Sequence, residues 1–197
     1  MTSAMRGRRA AAVAAEVDVK LNLMLVAILA VTGVYIAVME RLVASAWHRA
    51  RMVRKDKTHR VTPGEHRRSS NANSLVSLLI VFGVSNLAHG ALFVDVAREP
   101  WRMAVEAVGI LAIYDFAYYL LHRFAFHAWA PGARIHAVHH RIRTPYSRDS
   151  LYIHPLETVF GLATLFASTW LVALAAGHVS VWSFGAAFFV YSVLNVF

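Results

Sequence analysis

The sequence predicts an all-α membrane protein whose helices cross the bilayer several times. Of its 197 residues 58% are hydrophobic, and the mean hydropathy is +0.49, whereas apolar residues make up about 45–50% of soluble domains. Long apolar stretches alternate with polar segments, and one polar segment is rich in histidine. We expect membrane-spanning helices at residues 21–39, 74–94, 101–121, 156–176 and 181–197.

The first predicted span, residues 21–39, is nearly all apolar and long enough to cross roughly 30 Å of hydrocarbon. The sequence Ala-Ser-Ala at residues 44–46 has the form of a signal-peptide cleavage site. The apolar run is too long for a signal peptide, however, and a Glu-Arg pair separates it from that site. We therefore expect a retained helix, preceded by an N-terminal segment over residues 1–20 with no clear function.

A polar, basic linker is predicted over residues 40–73, which contain nine Lys and Arg. Its three histidines, His48, His59 and His66, are isolated in sequence. We interpret them as solvated side chains rather than metal ligands.

The second predicted span, residues 74–94, carries Asn86 and His89 near one end, where hydrogen bonding to another helix or to the interface is expected. Pro100 ends a short connection to the third span. A four-residue turn separates the fourth span from the fifth, which is not complete at Phe197.

The orientation follows from the basic linker, because Lys and Arg collect in cytoplasmic loops. With residues 40–73 in the cytoplasm, the second and third spans form a hairpin that returns residues 122–155 to the same side. That segment contains five arginines, which agrees with a cytoplasmic location. Because each span changes the side of the membrane, the same argument places the N-terminus outside despite its arginines.

Five of the eleven histidines lie within nineteen residues of this segment. The last three have the spacing i, i+3, i+4, which puts them on one face of a helix. The first two are five residues apart, about 140° in a straight helix, so they converge only if the helix ends or bulges between them. We predict that these five side chains bind metal: His122, His127, His136, His139 and His140.

Three further side chains are candidates for the site. Asp115 lies seven residues before His122, where it could orient a ligating imidazole, ligate the metal, bond another span or pair with Arg123. His154 and Glu157 belong to a His-Pro-Leu-Glu run. They fit either a site role or simply the start of a helix, with proline at its first position.

The chain contains no cysteine, so a bound metal must be held by His, Asp, Glu or backbone oxygen. Imidazole suits zinc, copper, iron and nickel. A closed structural zinc site needs only four ligands. A larger imidazole cluster beside apolar spans favours iron that activates dioxygen and attacks a C–H bond of a lipid-soluble molecule.

The run YDFAYYLLHR, then RIHAVHH, then HPLE resembles the fatty acid hydroxylase/sterol desaturase superfamily of membrane di-iron oxygenases. That family shows Asp-Phe-x-Tyr-Tyr before a His-Arg box, then HxxHH, then His-Pro-x-Glu at the start of the next helix. The resemblance is close over residues 114–157 and looser over the span pattern.

The resemblance assigns His122 and His127 to the first box and His154 and Glu157 to the His-Pro-x-Glu element, with the remaining three in HxxHH. It implies two irons, dioxygen as co-substrate and a separate electron-donor protein or reductase. The implied reaction hydroxylates or desaturates a C–H bond of a lipid, sterol or carotenoid-like substrate. The implied location is the bacterial inner membrane or the endoplasmic reticulum.

Two departures from the family pattern are present. The first box has four intervening residues where many members have three, and the family continues into a further HxxHH-like box after its last spans. We therefore expect residues 74–197 to form a family-like domain whose C-terminal part is missing, after a first span and linker over residues 21–73.

Other function classes fit the sequence less well. A non-enzymatic metal-binding or metal-carrier protein would place its ligands near the bilayer midplane. A histidine pH sensor would titrate without metal. Nucleic-acid binding is not expected, because the basic residues adjoin membrane spans and no recognised nucleic-acid-binding motif is present.

Overall fold

The computed structural model describes residues 3–45, 61–96, 98–142 and 147–195. Helices dominate all four ranges, which confirms the all-α class. His48 and His59 of the predicted linker lie outside the described residues. The elements in chain order are α1 Ser3–Val43, α2 Pro63–Leu87, α3 His89–Leu92, β1 Phe93–Val94, α4 Pro100–Leu120, a π-helix Leu121–Ala128, α5 Ala130–His136, 3₁₀ turns His139–Arg141 and Ser147–Leu151, α6 Pro155–Ala176, β2 Val179–Ser180 and α7 Val181–Leu194.

Within the described residues, four helical stretches are long and apolar enough to cross a membrane. Their outward faces carry apolar side chains such as Leu79, Val108 and Leu174, each more than 60% exposed. Such faces suit hydrocarbon, where helices satisfy their own backbone hydrogen bonds. The chain is an integral membrane protein, with spans over Val19–Val43, Pro63–Leu87, Pro100–Ala128 and Pro155–Ala176.

The predicted fifth span is shorter than expected. α7 is a 14-residue apolar helix, about 21 Å long at 1.5 Å per residue. Its Phe184 and Phe188 are buried in the bundle core. α7 is therefore a core helix that does not cross the full hydrocarbon layer over its described length.

The second span begins eleven residues earlier than predicted. Thr62 caps α2 through a capping box: its hydroxyl accepts from the Glu65 N–H at 3.2 Å, and the Glu65 carboxylate accepts from the Thr62 N–H at 3.0 Å. Pro63 occupies the first helical position. Residues 63–73, predicted as linker, are thus helical, and α2 ends at Leu87 rather than at residue 94.

A polar contact joins the first two spans. The side-chain amides of Asn22 and Asn86 hydrogen-bond reciprocally at 3.0 and 2.9 Å. This agrees with the expectation that Asn86 bonds a neighbouring helix. Inside a membrane such pairs contribute to helix association.

The two ends of the bundle are built differently. At one end α6 stops at Gly177, whose φ of +69° favours glycine, and β1 pairs with β2 in parallel. Beside them buried Glu106 accepts hydrogen bonds from the Ser180 N–H at 3.0 Å, the Ser183 hydroxyl at 2.7 Å and Arg98. This satisfied network is structural. The histidine-rich segment lies at the opposite end, where α4 ends and α6 begins.

Candidate metal centre

A π-helix brings His122 and His127 together. α4 continues directly into Leu121–Ala128, which has the wider i→i+5 hydrogen-bond pattern, so residues five apart lie on one face. The Nε2 atoms of the two histidines are 2.9 Å apart. Of the two alternatives that the HxxxxH spacing left open, a helix end or a bulge between the histidines, the structure has the bulge.

A close helix contact brings the second histidine group to the first. α5 follows the π-helix after Trp129, and Gly132 on α5 lies against the backbone of Ala125. A Cβ added at Gly132 would lie 1.8 Å from the Ala125 carbonyl oxygen. Only glycine permits this approach.

His139 and His140 do not continue the α-helix of His136. α5 ends at His136, and the two histidines lie in the following 3₁₀ turn, His139–Arg141. The expected single helical face is therefore replaced by a helix end and a turn. The three side chains still lie together, because the backbone stays in the right-handed helical region through Ala137 and Val138.

All five predicted imidazoles converge, with His136 at the centre. Its ring centroid lies 4.6 Å from those of His122 and His140, 4.8 Å from that of His127 and 5.5 Å from that of His139. One ligand atom from each of His122, His127 and His136 lies within 4.8 Å of the other two. Nitrogens at about 2.1 Å from one metal are about 3–4 Å apart, so small side-chain adjustments suffice.

Glu157 orients the central imidazole. His136 Nδ1 lies 2.9 Å from Glu157 Oε1, and both side chains are buried. With Nδ1–H donated to the carboxylate, Nε2 carries the lone pair. No described residue bonds Nε2 of His136 or Oε2 of Glu157. A buried, unpaired imidazole nitrogen backed by a carboxylate is the usual arrangement of a metal-ligating histidine.

The electrostatic surroundings keep the His136 imidazole neutral. Burial and the neighbouring imidazoles lower the pKa of His136 to about 4. Burial, together with His140 and His122, also lowers the pKa of His139. At neutral pH these imidazoles are therefore uncharged and able to donate a lone pair. The residues present fit a metal ion.

Asn73 on α2 holds the chain that leads into Glu157. Its amide donates to the carbonyls of Leu151 at 3.2 Å and Ile153 at 2.7 Å, and its oxygen accepts from the Thr158 hydroxyl at 2.5 Å. The Asn73 side chain is fully buried. The part of α2 that was predicted to be linker thus fixes the start of α6.

The structure places His154 at the N-cap of α6. Its Nδ1 accepts a hydrogen bond from the Leu156 N–H at 3.2 Å. This is the helix-start role that the sequence left open. A ligand role for His154 stays a prediction.

Asp115 lies beside the centre and is exposed. It lines an open cavity of about 460 Å³ together with Tyr118, Tyr119, His122, Arg123 and His127. Arg123 donates to the Tyr119 hydroxyl at 2.8 Å, and no ion pair between Arg123 and Asp115 is found in the described ranges. The role of Asp115 at the centre also stays a prediction.

One histidine of the predicted linker has a defined place. His66 Nε2 lies 2.8 Å from Asp149 Oδ1, and its ring stacks on Tyr152 with centroids 5.5 Å apart. It is therefore not simply solvated, but joins α2 to the segment before α6. Its sequence surroundings gave no signal for this contact, nor for those of Gly132 and Asn73.

A comparison with known protein families supports the candidate site. Residues 107–197 match the family model described as fatty acid hydroxylase. The matched segment contains all five converging histidines and Glu157. No curated protein and no solved structure matches the chain.

Proposed function

Since residues 107–197 place this chain in the fatty acid hydroxylase/sterol desaturase superfamily of membrane lipid-modifying enzymes, we propose that it is an iron-dependent oxidoreductase. It uses dioxygen to hydroxylate or desaturate a C–H bond of a lipid, sterol or carotenoid-like substrate. Electrons come from a separate electron-donor protein or reductase.

The observation that supports this proposal is the convergence of four imidazoles on that of His136 at the end of an apolar bundle. The residues that would hold iron are His122, His127, His136, His139 and His140, with His154 as a further candidate. Bound iron would supply dioxygen activation and removal of hydrogen from an unactivated C–H bond. Two irons are expected from the family.

The chain's own residues have distinct tasks at this site. Glu157 accepts a hydrogen bond from Nδ1–H of His136 and so leaves the Nε2 lone pair free to bind a metal. Tyr118 packs edge-on against His122, with ring centroids 6.1 Å apart, and separates the centre from the bundle interior. The surrounding spans would admit an apolar substrate and exclude water.

The location of the cluster favours an enzyme over a metal carrier. His122 and His127 lie close to the end of the third span, Pro100–Ala128, and the other three histidines follow that span, so none lies at its middle. A carrier would need ligands along a path near the midplane. The proposed orientation places this end of the bundle in the cytoplasm.

Iron content tests the proposal. The chain is purified in detergent, and iron per protein is measured for the wild type and for His136→Ala, His139→Ala and His140→Ala. We expect a loss of roughly tenfold or more in iron affinity, since even residues that only orient ligands change metal affinity 10–100-fold.

His178→Ala is the matched control, because His178 is exposed at the opposite end of the bundle. It should retain iron. Near-zero iron in the wild type, or equal iron in all variants, would overturn the proposal.

A further inference from the structure

A second cavity lies inside the bundle next to the metal centre. Its volume is about 360 Å³, within the range of about 300–1,000 Å³ for small-molecule sites. α1, α2, α4, α6 and α7 all contribute lining side chains. Along α2 the lining runs from Ser74 to Val81, about 10 Å at 1.5 Å per residue. We name this cavity the inner chamber.

The inner chamber and the metal centre share walls. Glu157 lines the chamber and accepts from His136. Tyr118 lines both the chamber and the open cavity beside the histidines, and its ring contacts that of His122. A molecule in the chamber would therefore lie against two side chains, Tyr118 and Glu157, that contact the imidazoles.

The chemistry of the wall restricts the occupant. Apolar side chains such as Leu29 and Phe188 alternate with hydroxyl groups such as those of Ser77 and Tyr191. Within the described ranges no Lys, Arg or His lines the chamber, and its one acidic side chain is Glu157. A carboxylate or phosphate buried there would have no counter-charge, which is costly.

We propose, resting on the function proposed above, that the inner chamber binds the substrate as an uncharged lipid. The occupant is a long alkyl chain whose buried end carries at most a neutral hydroxyl. A free fatty acid of equal length binds more weakly, because its carboxylate would have no counter-charge in the chamber. The chamber thus selects the substrate class, while the histidines bind the metal.

The chamber wall offers a site for a blocking substitution. Gly33 on α1 lines the chamber, and a Cβ added there meets no atom within 4 Å. Gly33→Phe therefore adds an aromatic ring at the chamber wall without a clash at its Cβ. Gly83 on α2 is equally open but does not line the chamber, so Gly83→Phe is the matched control.

A smaller substitution gives a second test of the chamber if Gly33→Phe does not fold. At Gly161 an added Cβ meets Tyr118 at 3.7 Å and Tyr191 at 3.8 Å, which are ordinary contacts. Gly161→Ala should fold normally and narrow the chamber next to Tyr118.

Photo-crosslinking tests the proposal. The purified chain is labelled with a long-chain alcohol that carries a diazirine at mid-chain, and with the carboxylic acid of the same length, and labelled residues are mapped by mass spectrometry. We expect the alcohol to label chamber residues roughly tenfold more than the acid does, which corresponds to about 1.4 kcal/mol.

Labelling of the chamber should fall in Gly33→Phe, fall less in Gly161→Ala and persist in Gly83→Phe. Unchanged labelling in both Gly33→Phe and Gly161→Ala would overturn the proposal that the chamber is the binding site. Equal labelling by the acid overturns the choice of an uncharged ligand.

His139→Ala separates this inference from the proposed function. That variant should lose iron and keep alcohol labelling, because the chamber is formed by the spans. Failure of labelling in a wild type that binds iron rejects the chamber alone. Labelling in a wild type that binds no iron rejects the iron enzyme alone.

Discussion

The buried pair of His136 and Glu157 is the contact on which the proposed metal site most depends. The Glu157 carboxylate fixes which imidazole nitrogen of His136 carries the proton, and Glu157 lies on a different helix from His136. The histidines could be named from their clustering in sequence. The partner of His136 could not, because Glu157 fits a helix N-terminus equally well.

A pair of substitutions at Glu157 tests this role. Glu157→Ala should weaken iron binding roughly 10–100-fold, because the imidazole of His136 loses its orienting acceptor. Glu157→Gln should recover much of the affinity, because its amide oxygen still accepts from Nδ1–H. The measurement is iron titration of the metal-free protein.

Rescue by glutamine distinguishes orientation from general damage to the fold. Equal loss in both variants, with unchanged melting temperatures, would contradict the orienting role.

At the scale of elements, the π-helix and α5 act as one unit. The wider turn of the π-helix aligns His122 with His127, and the contact at Gly132 sets α5 against it. Neither feature follows from helical periodicity. A π-helix has no strong sequence signal of its own. The sequence also does not show whether a glycine in a short helix makes a close contact with another element.

Gly132→Ala should separate these elements. The new Cβ would lie 1.8 Å from backbone, which cannot move aside as a flexible side chain can. Overpacking of this kind costs about 1–3 kcal/mol, and iron binding should weaken with it. Thermal unfolding in detergent and iron titration measure the two effects.

Gly109→Ala is the control, since its Cβ would meet only Val172 at an ordinary 3.5 Å. A Gly132→Ala protein as stable and as iron-rich as this control would show that the close approach is not needed.

The N-terminal half of α2 supports α6 through Asn73. Asn73→Ala leaves the part-buried Leu151 carbonyl without this donor, at a cost of about 1–3 kcal/mol for an unsatisfied group, whereas the Ile153 carbonyl keeps its bond from the Ser69 hydroxyl. We expect a lower melting temperature and weaker iron binding. Asn71→Ala, at an exposed position on the same helix, should change neither. Equal behaviour of the two variants would contradict the supporting role.

At the scale of the whole molecule, the bundle places its candidate metal-binding residues at one end and a structural carboxylate network at the other. The proposed topology puts the metal centre in the cytoplasm and Glu99 outside. Because the chain has no cysteine, single cysteines report this arrangement without background.

Glu99→Cys and Arg134→Cys place a thiol at an exposed position at each end of the bundle. In sealed right-side-out vesicles, a membrane-impermeant maleimide should label Glu99→Cys at once and Arg134→Cys only after permeabilisation. The reverse pattern would show that the histidines face outward.

The sequence by itself determined the helical membrane class, the histidine set and the resemblance to the family. The hydropathy of a segment depends only on its own residues, and histidine can bind a metal wherever it lies in the chain. Both properties can therefore be recognised in short stretches of sequence. The tertiary structure decided which groups meet: His136 with Glu157, twenty-one residues apart, and Asn73 with Thr158, eighty-five apart. Such contacts depend on how helices pack against one another, and packing brings together residues whose distance along the chain carries no signal.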